Sequence, residues 1–170
     1  LFMKKTLTKE NALMYGVGHG GIEAVLTAGI LNISNLATAI MVNTGSIGAA
    51  LGTLDEAARA ATVESLSALC TTDSYLFFMA GVERISAIAL HICLSYLVYR
   101  ALRYGEKRYF FAAMGLHFAV DAATVLLAAS VPILALELIL LAAMAVVVWL
   151  VSRLYKAEAS PAQEADSTAV

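Results

Sequence analysis

Three histidines are the residues of this sequence whose type and spacing best suit chemistry. They are His19, His91 and His117, and each stands in an apolar stretch nine or ten residues from a basic cluster. On helices rising about 1.5 Å per residue, each imidazole would lie about 14 Å inside that basic belt. Three different helices would therefore offer imidazoles to one layer.

Carboxylates accompany two of the histidines at helical spacing. Glu23 follows His19 by four residues, and Asp121 follows His117 by four, so each pair shares a helix face. Each carboxylate either orients its imidazole or acts as a general base that activates water. Imidazoles can stabilise an oxyanion or bind a metal. Peptide hydrolysis and proton-coupled transport both fit these groups.

Three further charged residues stand in apolar stretches. Adjacent residues on a helix point about 100° apart, so we expect Glu83 and Arg84 to find partners on other helices rather than each other. Glu83 would turn toward the interior that His91 faces. Arg84 would pair with a carboxylate such as Glu23 or Asp121. Glu137 lies within two turns of a span's outer end and could reach interfacial water, and we expect its role to be structural or incidental.

Small residues surround the first histidine. Gly16, Gly18, Gly20 and Gly21 flank His19, and small residues in membrane helices let backbones approach closely. They can also admit a substrate strand. We expect the substrate to contact Tyr15, Gly18, Gly20 and Arg84.

The composition identifies a membrane protein. The chain is 61% hydrophobic and 14% charged, against about 45–50% and about 25% in an ordinary soluble domain. Charges away from the span ends are few, because a charge at the bilayer centre costs at least about 2.5–3.5 kcal/mol. A net charge of −2 leaves no basic face for nucleic acid.

The apolar stretches predict an all-α, polytopic transmembrane helical bundle within residues 1–156. A bilayer core of about 30 Å needs about 20 apolar helical residues. The first stretch is longer than one crossing requires, and we expect it to be tilted or broken between Gly29 and Asn35. The predicted spans are residues 12–42, 75–102, 109–129 and 132–155. An outer loop at 43–73 is expected to contain a short surface helix. The tail at 157–170 is expected to be disordered.

Basic residues orient this bundle. Cytoplasmic loops carry an excess of Lys and Arg, so we expect the C-terminus in the cytoplasm, in the membrane of a bacterial cell. An alternating topology puts three basic clusters on the cytoplasmic side. They are Lys4, Lys5 and Lys9; Arg100, Arg103, Lys107 and Arg108; and Arg153 and Lys156.

Three segments carry a family resemblance. They are Tyr15-Gly-Val-Gly-His19-Gly-Gly-Ile-Glu23-Ala24, Glu83-Arg84 with His91, and His117-Phe-Ala-Val-Asp121. Together they resemble the YhfC family of intramembrane proteases. That family is similar to the CAAX-protease and bacteriocin-processing clan, whose helices carry Glu-Glu-x-x-x-Arg, aromatic-x-x-x-His and His-x-x-x-Asn/Asp. Two of these motifs have a match here, and the first has none.

The resemblance implies a peptidase that hydrolyses a membrane-associated peptide or protein. It implies that His19 and His117 stabilise the oxyanion and that Asp121 orients His117. Glu23, Glu83 and His91 would complete the polar shell of the catalytic site.

The resemblance also bears on the water-activating group. The clan's paired glutamates would lie upstream of Leu1, so we expect a chain that begins at Leu1 to be inactive. We favour this metal-independent chemistry and expect no cofactor. In a metal-dependent enzyme, Zn²⁺ would be held by His19, His91 and His117. The rival function is a proton- or metal-ion-coupled transporter.

The orientation can be tested by thiol labelling. A cysteine at Ser167, in a background without Cys70 and Cys93, should resist a membrane-impermeant thiol reagent in intact cells because the tail is cytoplasmic. Ready labelling in intact cells would overturn the orientation, and labelling after permeabilisation is the control for reactivity.

Overall fold

The fold is known from a computed structural model that describes residues 7–158. Lys4, Lys5 and residues 159–170 of the predicted disordered tail lie outside this range. The described residues form helices and connecting turns, with no β-strand. The α-helices are α1 (Lys9–Ala24), α2 (Ile30–Asn43), α3 (Ile47–Gly52), α4 (Glu56–Thr71), α5 (Ser74–Tyr104), α6 (Lys107–Ala128) and α7 (Ile133–Ala157).

Four helical stretches are long and apolar enough to cross a membrane, which confirms the predicted all-α polytopic bundle. Their outward faces carry large apolar side chains, such as Leu26, Ile33 and Leu36 at 60%, 70% and 63% exposed. Lipid tails are the surroundings that such faces require. The four stretches are Lys9–Asn43, Ser74–Tyr104, Lys107–Ala128 and Ile133–Ala157.

The first stretch contains an irregular turn. A π-helical segment, Val25–Gly29, joins α1 to α2, and the helical path continues on both sides of it. The sequence predicted a tilt or break between Gly29 and Asn35; the observed irregularity ends at Gly29, where that range begins. Single π-turns within α-helices frequently mark functional positions.

The described chain forms two compact units, residues 7–21 with 85–158, and Ile22–Arg84. The core of the first unit surrounds the C-terminal half of α5, whose Leu90, Leu94 and Tyr96 are buried. Ala113 of α6 and Met144 of α7 complete the same cluster. Helix α5 is therefore the central element on which the other helices of this unit pack.

Two glycines bring α1 directly against α5. A Cβ built on Gly16 would lie 2.5 Å from the Cα of Ile92, and one built on Gly20 would lie 2.9 Å from the Cα of Ile88. Neither position has room for a side chain, so the backbones are in van der Waals contact. Gly18, between them, has no atom within 4 Å of a built Cβ.

A polar cluster ties the end of α7 to α5. The carboxylate of Glu158 accepts hydrogen bonds of 2.7 Å from Tyr96 and 2.8 Å from Tyr99. Burial opposes the charge on this carboxylate, but the two hydroxyl donors and the nearby Arg100 guanidinium outweigh it. The pKa of Glu158 therefore lies below its usual value.

The second unit contains the predicted outer loop, which is mostly helical. Asp55 caps α4 by accepting a 2.8 Å hydrogen bond from the backbone N–H of Ala58, a common way to start a helix. Arg59 reaches back from α4 to the carbonyl of Leu51, at 3.1 Å. No residue of α3 or α4 is buried.

Glu137 is buried, although its position near a span end would allow it to reach interfacial water. Its side chain is only 6% exposed, so it does not reach interfacial water. Glu137 stands in the second turn of α7, and the helix turns this side chain toward the packed interior. Depth along a helix predicts the layer of a residue but not the face it occupies.

The glycine contact makes a matched pair of substitutions informative. Gly16→Ala should lower the free energy of unfolding by about 1–3 kcal/mol, because the new methyl group meets backbone rather than a movable side chain. Thermal unfolding of the purified protein in detergent measures the change.

Gly18→Ala is the control on the same helix, and it should leave stability unchanged or raise it slightly, because alanine is the better helix former. Equal loss of stability in both variants would contradict the packing role of Gly16.

Candidate active site

The three histidines form a row in which His91 stands between the other two. The ring centroids of His19 and His91 are 4.8 Å apart with planes at 60°. Those of His91 and His117 are 5.1 Å apart with planes at 72°. The rings come from α1, α5 and α6, and all three line one cavity, which confirms the prediction of a shared interior.

Packing explains why the middle ring is held most firmly. His91 is only 4% exposed, and a Cβ on Gly20 would lie 3.0 Å from the His91 Cβ. The absence of a side chain at Gly20 leaves the space that the His91 ring occupies. The close approach of α1 to α5 therefore sets the distance between His19 and His91.

The His117 ring on α6 is oriented by the Asp121 carboxylate. His117 Nδ1 lies 2.7 Å from Asp121 Oδ2, at the helical spacing that the sequence predicted. In the tautomer with the proton on Nδ1, His117 donates to Asp121 and Nε2 is the basic nitrogen of the ring. Hydrogen bonds of this kind fix both the tautomer and the ring orientation of functional histidines.

The cavity is large and mostly apolar. Its volume is about 890 Å³, and its polar lining includes Tyr15, Ser95 and Asp121 besides the histidines. The Tyr15 ring stacks on His19 with centroids 5.9 Å apart and planes at 17°. Pockets of this size bury a ligand in apolar walls and orient it with a few polar groups.

One wall of the cavity follows a single face of α5. Leu94, Ser95, Val98 and Leu102 line it, at three, four, seven and eleven residues after His91. This is the helical periodicity of one face, and over eleven residues the face extends about 16 Å. The sequence contained this spacing, but Leu94, Val98 and Leu102 resemble ordinary core residues of a helix, so the wall was not predicted.

The other predicted site residues occupy different places. Glu23 lies one turn after His19 on α1, half-buried. Gly20 is a packing position against α5, and Gly18 is open. The structure gives no test of whether these residues contact substrate, so those roles stay predictions.

The predicted partners of Glu83 and Arg84 are wrong. The two side chains form an ion pair with each other, and Arg84 Nη1 also donates to the Thr27 hydroxyl at 3.1 Å. The long arginine side chain bends back across the 100° between neighbouring positions. Both residues line a separate, smaller cavity in the second unit.

The spacing of each neighbouring pair of imidazoles fits two ligands of one metal ion. An imidazole nitrogen bound to Zn²⁺ at about 2.0–2.1 Å has its ring centroid about 3.2 Å from the ion, so two such rings in a tetrahedral site have centroids about 5.2 Å apart. The two neighbouring pairs, at 4.8 Å and 5.1 Å, are close to this value, and the two outer rings stand on either side of His91. The Asp121 contact on His117 is the second-shell partner that such ligands have.

Four apolar spans with an imidazole cluster between them define an integral membrane protein with an intramembrane polar site. A family model described as YhfC intramembrane metalloprotease matches residues 1–148. The chain belongs to this family. Its description does not support the sequence-based preference for a site without a metal.

A relative in Bacillus subtilis (strain 168), "Uncharacterized membrane protein YhfC", is 36% identical over 116 residues, which are 68% of this chain and 44% of the relative. The match therefore spans less than half of that relative. No solved structure matches the chain.

Proposed function

We propose that the protein is an intramembrane peptidase whose histidine cluster hydrolyses a membrane-associated peptide or protein. The observation that carries the proposal is the row of three imidazoles in one apolar cavity, one of them oriented by Asp121. Buried ionisable groups within membrane spans are costly and are functional by default. The family's description as a metalloprotease supports the same reaction class.

The proposed ligands are His19, His91 and His117, with Zn²⁺ as the metal. A zinc ion in such a site lowers the pKa of a bound water and polarises a carbonyl group. Three neutral imidazoles leave the ion with its full positive charge, as in catalytic sites with three protein ligands and an open position.

The chain's own residues would prepare the site in distinct ways. Asp121 holds the Nδ1 proton of His117, so that Nε2 points its lone pair to the cavity. Tyr15 stacks on His19 and limits the rotation of that ring. The apolar wall of α5, from Leu94 to Leu102, excludes water and accepts the apolar side chains of a peptide in extended form.

Glu23 is the proposed general base. It follows His19 by one helical turn on α1, and a carboxylate near a histidine ligand can take the proton of an attacking water. Glu83 is less suited to this role, because its carboxylate is paired with Arg84. The family assignment does not favour the transporter considered from the sequence.

We further propose that the protein resides in a bacterial cytoplasmic membrane with its C-terminus in the cytoplasm. Arg100 and Lys9, from two of the basic clusters, lie against tyrosine rings: Arg100 is 5.0 Å from the Tyr109 centroid and Lys9 Nζ is 4.7 Å from that of Tyr155. Aromatic and basic residues together are typical of a membrane interface.

Chelation distinguishes metal-dependent from glutamate-based hydrolysis. The purified full-length protein should lose peptidase activity in a strong chelator and regain it with Zn²⁺, and His91→Ala should abolish both activity and bound metal. Metal content by mass spectrometry and cleavage of a membrane-inserted peptide are the measurements. Activity that persists in chelator without bound metal would favour the metal-independent mechanism.

The Asp121 contact makes a separate prediction. Asp121→Asn should weaken Zn²⁺ binding by about 10–100-fold, the usual effect of losing a second-shell carboxylate. Competition with a chromogenic chelator measures this affinity without relying on activity. Thr124→Val is the control on α6, since the Thr124 hydroxyl only donates to the Val120 carbonyl. Unchanged affinity in Asp121→Asn would contradict the assignment of His117 as a ligand.

A further inference from the structure

The second unit contains a smaller cavity of its own, with several polar side chains in its wall. Its volume is about 370 Å³, at the lower end of the range of about 300–1,000 Å³ for ligand pockets. Polar side chains from the π-turn, α2, α5 and the residue that follows α4 meet there. They are Thr27, Asn32, Asn35, Thr72, Glu83 and Arg84.

The charges in this cavity compensate one another. Arg84 pairs with Glu83 and donates to the Thr27 hydroxyl at 3.1 Å. The cavity therefore presents a guanidinium and a carboxylate that are already neutralised. An ion as ligand would have to break this pair in a medium that penalises unpaired charge, so the chemistry favours an uncharged ligand.

The amides in the cavity differ in how they are satisfied. Asn32 Nδ2 donates to the Ala28 carbonyl at 2.9 Å. The side-chain amide of Asn35, which is half-buried, forms no hydrogen bond with any residue in the described range 7–158. An amide has two N–H donors and a carbonyl acceptor, and a polar group without a partner at membrane depth costs several kcal/mol.

We propose that this cavity binds an uncharged peptide segment through its backbone. A peptide group offers a donor and an acceptor side by side, which is the complement of the Asn35 amide. Leu31, Leu76 and Phe77 line the remaining wall and suit apolar side chains. The inference rests on the proposed function only in taking a peptide as the substrate class.

Photolabelling tests the site directly. The probe is N-acetyl-leucyl-photoleucine N-methylamide, added to the full-length protein in phosphatidylcholine nanodiscs, with cross-links mapped by mass spectrometry. Labels should fall on residues 27–35 and 72–84. Unlabelled N-acetyl-dileucine N-methylamide should compete, and the analogue with an ester in place of its central amide should compete about tenfold less, because it lacks one donor.

Variants assign the binding to Asn35. Asn35→Leu should reduce labelling about tenfold, and Asn35→Gln, which keeps the amide, should retain most of it. Ser34→Ala is the control, because Ser34 neighbours Asn35 but does not line the cavity. Thermal unfolding of each variant confirms that it is folded.

Three results would overturn the inference: no label on residues 27–35 or 72–84, equal competition by the ester for labelling there, or full labelling there in Asn35→Leu. Failure of the proposed function is a different outcome. Peptide cleavage without labels in this cavity overturns the second site alone. Labels here in a protein that cleaves no peptide under any metal condition overturn the peptidase alone.

Discussion

The close approach of α1 to α5 is the constraint on which the histidine cluster depends. Gly16 and Gly20 allow backbone contact at two points one helical turn apart. Any side chain at either position would push α1 outward and separate His19 from His91. The same contact buries His91, since the space beside Gly20 is filled by its ring. Helix packing and site geometry are therefore one feature of this unit, and neither can change without the other.

The sequence predicted the histidine layer and the carboxylate on α6 because both follow from helical geometry. Counting residues from the basic clusters places the three histidines at one depth. The spacing of four residues puts Asp121 beside His117, and the structure has this contact at 2.7 Å. The sequence also predicted close packing at the glycine-rich segment. It could not say which glycines make the contact, because that requires knowing which face of α1 meets α5.

Other features could not be predicted from the sequence, because they depend on the length of a side chain or on an irregular backbone. The length of the arginine side chain lets Arg84 pair with its own neighbour, and no rule of spacing on an ideal helix predicts this. The π-turn at Val25–Gly29 has no proline to mark it, and the range in which the sequence predicted a break begins where this turn ends. Glu137 shows the same limit, since its burial depends on the direction in which α7 leaves the turn before it.

The pairing of Glu83 with Arg84 has an electrical consequence. A membrane potential of about 100 mV acts on one elementary charge with about 2.3 kcal/mol. Opposite charges on adjacent residues sum to zero, so the field does no net work when this part of α5 moves along the membrane normal. Binding at the proposed second site would then not depend on the membrane potential. Loss of either partner would leave one net charge within the span and make occupancy of that site sensitive to voltage.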